Sequence, residues 1–296
     1  TPMATCSRPD GPDPDKNPQS CPATPLPVGI GTGGKRFIET DLTTSGPSRL
    51  QWTRRYVSQI IRARAVISPQ WLHSYSRWVQ TQGSTAAYLF RPDGRMVSAQ
   101  LIDATITSGR QRWAVQNIDS EQLYRSFDIN IQPTGWIAID PREQSIERFD
   151  TQGRLLEVTF SSGDQHRLTY SDGTVGLNGG YVLDASGNPT ATALPAGLLI
   201  RLTDSLGRSL ALGYDSASRI VKLTDPQGQA TRYAYTAAGQ FASVTYPDGR
   251  SRQYLYNEPD LTGGANLPQA ITGLTDESGV RLGSYTYNSL GQAINS

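Results

Sequence analysis

Asp225-Pro-Gln-Gly228-Gln-Ala-Thr-Arg-Tyr233-Ala-Tyr235-Thr-Ala-Ala-Gly239-Gln-Phe-Ala-Ser-Val244-Thr-Tyr246 holds two extended stretches and two turns. Asp at the first position and Gly at the fourth suit a type I turn followed by a left-handed residue, a common three-residue hairpin connection. Tyr233 and Tyr235 are two apart, so on a strand both rings leave the same face. Tyr254/Tyr256 and Tyr285/Tyr287 repeat that pair, and Leu212/Tyr214 and Leu168/Tyr170 are weaker, earlier copies. Tyr214, Tyr235 and Tyr256 are spaced by 21 residues, with Tyr287 after a longer gap. The turns keep similar time as Asp150/Gly153, Asp204/Gly207, Asp225/Gly228 and Asp276/Gly279, with Gly187 and Gly249 closing two more.

A fixed period means stacked supersecondary units, each unable to bury a face alone. One period supplies two strands of roughly 5–6 residues and two turns. Equivalent tyrosines would then form ladders across neighbouring strands about 4.8 Å apart. Packing is the expected role of Tyr170, Tyr214, Tyr233, Tyr235, Tyr254, Tyr256, Tyr285 and Tyr287. An aromatic platform for sugars or peptides is the alternative, because tyrosine offers an apolar face and a hydroxyl.

The rest of the chain agrees with an all-β reading. Gly (29) and Pro (19) favour turns over helices, and 14 Tyr against 6 Phe give the aromatic surface polar handles. Net charge is +1 from 27 basic and 26 acidic residues, so no nucleic-acid partner is expected. No run approaches the ~20 apolar residues of a membrane helix, and no membrane insertion is expected. Residues 1–27 read as a Pro-rich extended arm. Cys6 and Cys21 lie in it, and a disulfide between them would stabilise the arm by roughly 3 kcal/mol and imply an oxidising compartment. Asp10, Asp13, Asp15 and Asn17 lack the glycine and terminal Glu of a calcium loop and read as solvated turn residues.

Residues 28–145 form a β-rich lead-in and residues 146–296 the repeat region. Phe37/Glu39/Asp41 alternates with Ile38/Thr40/Leu42, Leu50/Trp52 begins an extended run to Tyr56, and strands are expected near 112–118, 127–131 and 135–140. Gly29-Ile-Gly-Thr-Gly-Gly34-Lys35 satisfies G-x-x-x-x-G-K, but prolines precede it, Arg36 stands where Ser or Thr would hold magnesium, and an alternating strand follows. It reads as a turn. His73 and His166 are the only histidines, and neither sits at metal-ligand spacing. G-x-S-x-G is absent, and most acids occupy repeat turns where backbone capping explains them. No cofactor, metal or catalytic set is expected, and the chain reads as non-enzymatic.

Tyr214-Asp215-x-x-Ser218-Arg219-Ile220, Asp225-Pro226-x-Gly228, Tyr233-x-Tyr235-x-x-x-Gly239-Gln240 and Tyr285-x-Tyr287-Asn288-x-x-Gly291-Gln292 resemble the YD repeats of bacterial RHS proteins. Gly31-Thr-Gly-Gly-Lys35, Glu39-x-Asp41, Leu50-x-Trp52-x-Arg54-x-Tyr56, Trp71-x-His73-Ser74-Tyr75 and Arg91-Pro92-Asp93-Gly94-Arg95 are similar to the lead-in before such repeats. The resemblance covers about residues 28–296. It implies a spiralling antiparallel sheet, here an open partial shell, since the chain reaches Ser296 without the self-cleavage or toxin segments of larger members. Those members enclose a toxic segment and act in interbacterial competition or in insecticidal toxin complexes.

Three functions follow as expectations. The first is a secreted, non-enzymatic scaffold at the surface or exterior of a bacterium, as a fragment or short member of an RHS shell. The second is an extracellular subunit that meets protein partners or copies of itself by strand addition at an open edge or through the arm. The third is a surface module that binds glycans through exposed tyrosines. The alternation does not assign which sheet face is interior.

Overall fold

The computed structural model describes residues 28–29, 34–58, 67–116, 120–176 and 179–295. The arm with Cys6, Cys21 and their expected bridge lies outside the described residues. β1 (Val28–Gly29), β2 (Gly34–Thr43), β3 (Gln51–Val57) and β4 (Trp71–His73) form a four-stranded antiparallel sheet. Gly29 pairs with Gly34, and residues 30–33 of the glycine-rich motif lie outside the described residues.

A second sheet takes up the rest. It begins with β5 (Trp78–Gln82), β6 (Ala86–Phe90), β7 (Met96–Leu101), β8 (Arg110–Val115), β9 (Gln122–Phe127) and β10 (Pro133–Asp140). It continues through β11 (Ser145–Phe149), β12 (Leu155–Phe160) and β13 (Gln165–Tyr170). The hairpin β14 (Tyr181–Leu183) and β15 (Pro189–Ala193) is an excursion, after which β16 (Leu199–Thr203) pairs with β13. β17 (Ser209–Tyr214), β18 (Ile220–Thr224), β19 (Ala230–Tyr235), β20 (Phe241–Thr245), β21 (Ser251–Tyr256), β22 (Ile271–Thr275) and β23 (Arg281–Ser284) complete the meander. A separate hairpin, β24 (Thr286–Tyr287) and β25 (Ala293–Asn295), follows. Apart from one parallel bridge between Val182 and Tyr214, the pairing is antiparallel.

The sheet coils. The Val79 N–H reaches the Gly153 carbonyl at 2.9 Å and Trp78 bridges Arg154, which brings β5 back to the turn before β12. Among the described residues no ladder joins β23 to β5, so the sheet is an open partial shell. No α-helix occurs among the described residues. The expected strand at 127–131 is absent: Asp128 caps a loop, its Oδ1 accepting the N–H groups of Asn130 and Gln132. Ile131 is left-handed at φ 59° and Ile129 is exposed. The sequence division at residue 146 falls just inside β11, and the sheet runs through it without a break.

The Asp-x-x-Gly turns form by one geometry. At Asp225 the main-chain N–H of Gly228 reaches the Asp225 carbonyl at 3.0 Å, while Oδ1 accepts the N–H groups of Gln227 and Gln229. Gly228 sits at φ 84°, which glycine alone adopts without steric cost. The turn at Asp215 puts Ser218 at the same place with φ 59°. Ser218→Gly is therefore expected to add about 0.5 kcal/mol, because relief of roughly 1–2 kcal/mol of left-handed strain exceeds the roughly 0.5–1 kcal/mol of extra unfolded-chain freedom. Gly228→Ala should cost about 1 kcal/mol by the reverse argument. Urea denaturation of the two variants checks both signs.

The second tyrosine of each pair stitches successive repeats. Register shifts at Tyr170, Tyr214, Tyr235 and Tyr256 set them opposite Leu199, Ile220, Phe241 and Ile271. A bulge disrupts the ladder, so a carbonyl there needs another donor. The next tyrosine supplies it: the hydroxyls of Tyr214, Tyr235, Tyr256 and Tyr287 donate to the carbonyls of those same four residues, each at 2.7 Å. Tyr170 does the same for Leu155. Tyr235→Phe should cost about 1–2 kcal/mol by leaving the Ile220 carbonyl without this donor. Its circular dichroism spectrum should match that of the parent while its thermal midpoint falls.

Candidate functional site

β2 and β3 decide which face of the repeat sheet is covered. On β2 the residues Lys35, Phe37, Glu39 and Asp41 point one way, and on β3 Trp52, Arg54 and Tyr56 do the same, as period-two alternation requires. This surface lies on the repeat tyrosines. Lys35 Nζ sits 3.8 Å from the Tyr285 ring centroid, Phe37 stacks on Tyr254 at 6.2 Å, and the hydroxyls of Tyr254 and Tyr233 donate to Glu39 and Asp41. The first tyrosine of each pair thus meets β2, while the second stitches its own sheet. Trp71 of β4 fills the space between, with Phe241 at 5.0 Å and Tyr254 at 4.8 Å, and its Nε1 donates to the Tyr256 hydroxyl at 2.9 Å.

Arg54 is the centre of this seam. Fully buried, it donates to Asp41 Oδ2 at 2.5 Å, Asp41 Oδ1 at 2.8 Å, Glu39 Oε2 at 2.8 Å and the Tyr254 hydroxyl at 2.8 Å. Its guanidinium lies 4.7 Å from the Phe241 ring centroid. Burial alone would raise the Glu39 carboxyl, yet Arg54, the Tyr254 hydroxyl and Arg252 bring it below the usual carboxylate range. Burial also works against charge on Arg54, and Asp41 and its other partners hold it protonated regardless. Lys35 is pushed down to about 8 by burial. A second clamp holds the loop between β2 and β3, where Arg208 donates to the carbonyls of Ser45 and Pro47 at 2.6 and 2.9 Å.

None of the eight repeat tyrosines is exposed; seven hydroxyls are directed at backbone carbonyls or at β2, and that of Tyr285 is buried without a hydrogen-bond partner among the described residues. Among the described residues they therefore form no open aromatic platform. His73 stacks on Trp52 at 4.5 Å, accepts the Tyr75 N–H at Nδ1, and is pushed down to about 3 by burial. His166 Nδ1 lies 2.9 Å from the Tyr75 hydroxyl, and burial lowers it as well.

Asp150, Asp204, Asp225 and Asp276 and their glycines sit in the hairpin turns where the sequence puts them, but the structure does not gather them with the tyrosines into one site. Gly207, Gly228 and Gly279 are exposed, and a Cβ added at any of them would meet nothing within 4 Å. Gly207 and Gly279 each donate their N–H to the carbonyl of the turn aspartate, Asp204 or Asp276, at 3.1 Å, with φ of 79° and 84°. Backbone conformation alone calls for glycine there, and neither residue touches the seam or a cavity. Gly153 differs, because a Cβ would stand 1.7 Å from the Val79 carbonyl oxygen, where β5 returns to the sheet.

The described sheet also has a free margin. β23 pairs with β22 and with no second strand among the described residues. Val280, just before it, and Leu282, within it, are exposed at 61 and 51 %. Sequence reasoning identified this open edge but missed the seam. The available signal was the parity of Glu39 and Asp41 with Phe37, and of Arg54 with Trp52 and Tyr56.

Comparison with known proteins places two families on the chain. A domain of unknown function, DUF6531, matches residues 26–98, and the RHS Repeat family matches 194–230 and 214–251. No curated protein matches. Among solved structures, the TcdB2-TccC3 complex without its hypervariable C-terminal region is 14% identical over 76% of this chain and 12% of that chain, with a TM-score of 0.31. A Tc holotoxin pore of Photorhabdus luminescens is 14% identical over 88% of this chain and 14% of that chain, with a TM-score of 0.28. The chain thus spans about an eighth of the length of these structures.

Proposed function

We propose that this chain, which is an RHS-repeat protein, serves as a non-enzymatic wall segment of a secreted β shell and joins further protein by strand addition along β23. The edge of β23 that meets no strand among the described residues, bordered by exposed Val280 and Leu282, carries this reading. An edge of this kind presents free N–H and C=O groups and is a template for another strand. The covered tyrosine face supports it from the other side, since that surface is occupied by β2–β4 and leaves the margin as the available contact. A bacterial exterior or cell surface as the setting, and a part in interbacterial competition, belong to the same proposal.

Sedimentation velocity over increasing concentration tests it. The parent chain is expected to form larger species, and Leu282→Lys, which places a charge beside the edge, is expected to keep it monomeric. A parent chain that stays one monomeric species throughout would contradict self-association through this margin. Electron microscopy of the larger species separates a closed shell from a fibre, the second reading that the same edge supports.

A further inference from the structure

β3 has two faces, and only one of them belongs to the tyrosine seam. Gln51, Thr53 and Arg55 look the other way, toward the β12–β13 hairpin, across a cavity of about 510 Å³. Ligand pockets commonly measure about 300–1,000 Å³, so the space suits a small organic molecule. One wall is apolar, formed by Val158, Phe160 and Pro92. Phe160 is held edge-on against the His166 ring, with centroids 4.9 Å apart at 70°.

The rest of the lining is charged: Arg49, Arg55 and Arg77 stand beside two carboxylates, Glu143 and Asp164, and Arg77 is also paired with Glu147. Glu143 is engaged by Arg77 at 2.6 Å, and Asp164 accepts the Ser162 hydroxyl at 2.8 Å. Arg49 is exposed at the mouth and makes no hydrogen bond or ion pair with a described residue. The buried Arg77 Nε–H has no acceptor among the described residues. Burial keeps His73 and His166 neutral at pH 7, so neither adds a competing charge. Guanidinium groups pair with planar carboxylates and with phosphates in two-pronged geometry.

We infer that this cavity binds a small organic anion, a carboxylate or phosphate monoester, whose apolar body lies on Phe160 and Val158 while its charged end meets Arg49 and Arg55. The site is separate from the β23 margin and does not depend on the function proposed there.

Isothermal titration calorimetry on the full chain tests this with phenyl phosphate, 3-phenylpropionate, uncharged 3-phenylpropanol and inorganic phosphate. At least one aryl anion is expected to bind, and at least tenfold more tightly than both the alcohol and inorganic phosphate. Which aryl anion is tighter identifies the head group. Arg49→Gln removes a side chain without described partners, so its melting curve should match the parent while affinity falls about tenfold. Phe160→Leu should weaken the aryl anion and leave inorganic phosphate unaffected. The inference is overturned if neither aryl anion binds at millimolar concentration, if alcohol or inorganic phosphate binds as well, or if a stably folded Arg49→Gln binds like the parent.

Discussion

Arg54→Met is expected to lower stability by about 3–5 kcal/mol, the usual cost of removing one partner from a buried ion pair. The substitution leaves Glu39 and Asp41 beneath the tyrosines without their shared cation, and both side chains are almost fully enclosed. Methionine retains much of the side-chain volume, so the loss would come from charge more than from a cavity. Combining Arg54→Met with Glu39→Gln and Asp41→Asn should recover most of the loss, since neutral amide oxygens still accept from Tyr254 and Tyr233. Urea denaturation gives the energies. Hydrogen exchange should show β2 amides losing protection in the single variant and regaining it in the triple. Equal stability of the single and parent chains would remove Arg54 from the centre of the seam.

Acid should weaken the fold in two stages. His73 titrates near 6.5 in an unfolded chain and at about 3 when buried, so the unfolded state takes up the proton first. The His73 contribution is then constant above about pH 7 and falls as pH drops below 6.5. At about 1.4 kcal/mol per pH unit per group, His73 costs about 2 kcal/mol by pH 5. His166, also lowered by burial, acts in the same direction. Glu39 adds the second stage. Its folded value is depressed, so its contribution is whole above its ordinary value of 4.5 and is lost as pH falls further. Glu121, raised by burial against the pull of Arg91 and Arg95, opposes this slope above 4.5 and offsets part of it. His73→Asn keeps an acceptor for the Tyr75 N–H and should flatten the curve of urea midpoints between pH 7 and 5. An unchanged slope would place the acid response elsewhere.

The repeats were legible because their chemistry is local. Asp225 and Gly228 specify a turn whatever surrounds them, and Tyr233 and Tyr235 share a face by strand geometry alone. The loop at 128–132 was misread for a related reason. Phe127, Ile129 and Ile131 imitate an alternating strand, while the capping by Asp128 that closes the loop looks like an ordinary polar position. The covered face was not legible, because Asp41 and Tyr233 meet across 192 residues and Glu39 and Tyr254 across 215. Nothing short-range marks such a partner. Charged residues in phase with Phe37 and Trp52 would ordinarily indicate a solvated strand, and only the Arg54 cluster explains why they are buried. The bulge at each second tyrosine was equally hidden, since it becomes visible only when Ile220 or Phe241 is seen opposite it. Periodicity likewise could not separate the exposed turn glycines Gly207 and Gly279 from Gly153, whose need for glycine comes from a strand 74 positions earlier in the chain, at Val79.

The seating of the N-terminal sheet on the repeat tyrosines is tested most directly by a double-mutant cycle between Glu39→Gln and Tyr254→Phe. Residues in contact couple by about 0.5–3 kcal/mol, and distant ones add within about 0.5 kcal/mol. The buried contact between Tyr254 and Glu39 predicts coupling above 1 kcal/mol at pH 7. Simple additivity of the two substitutions would mean that β2 does not lie on the tyrosine face.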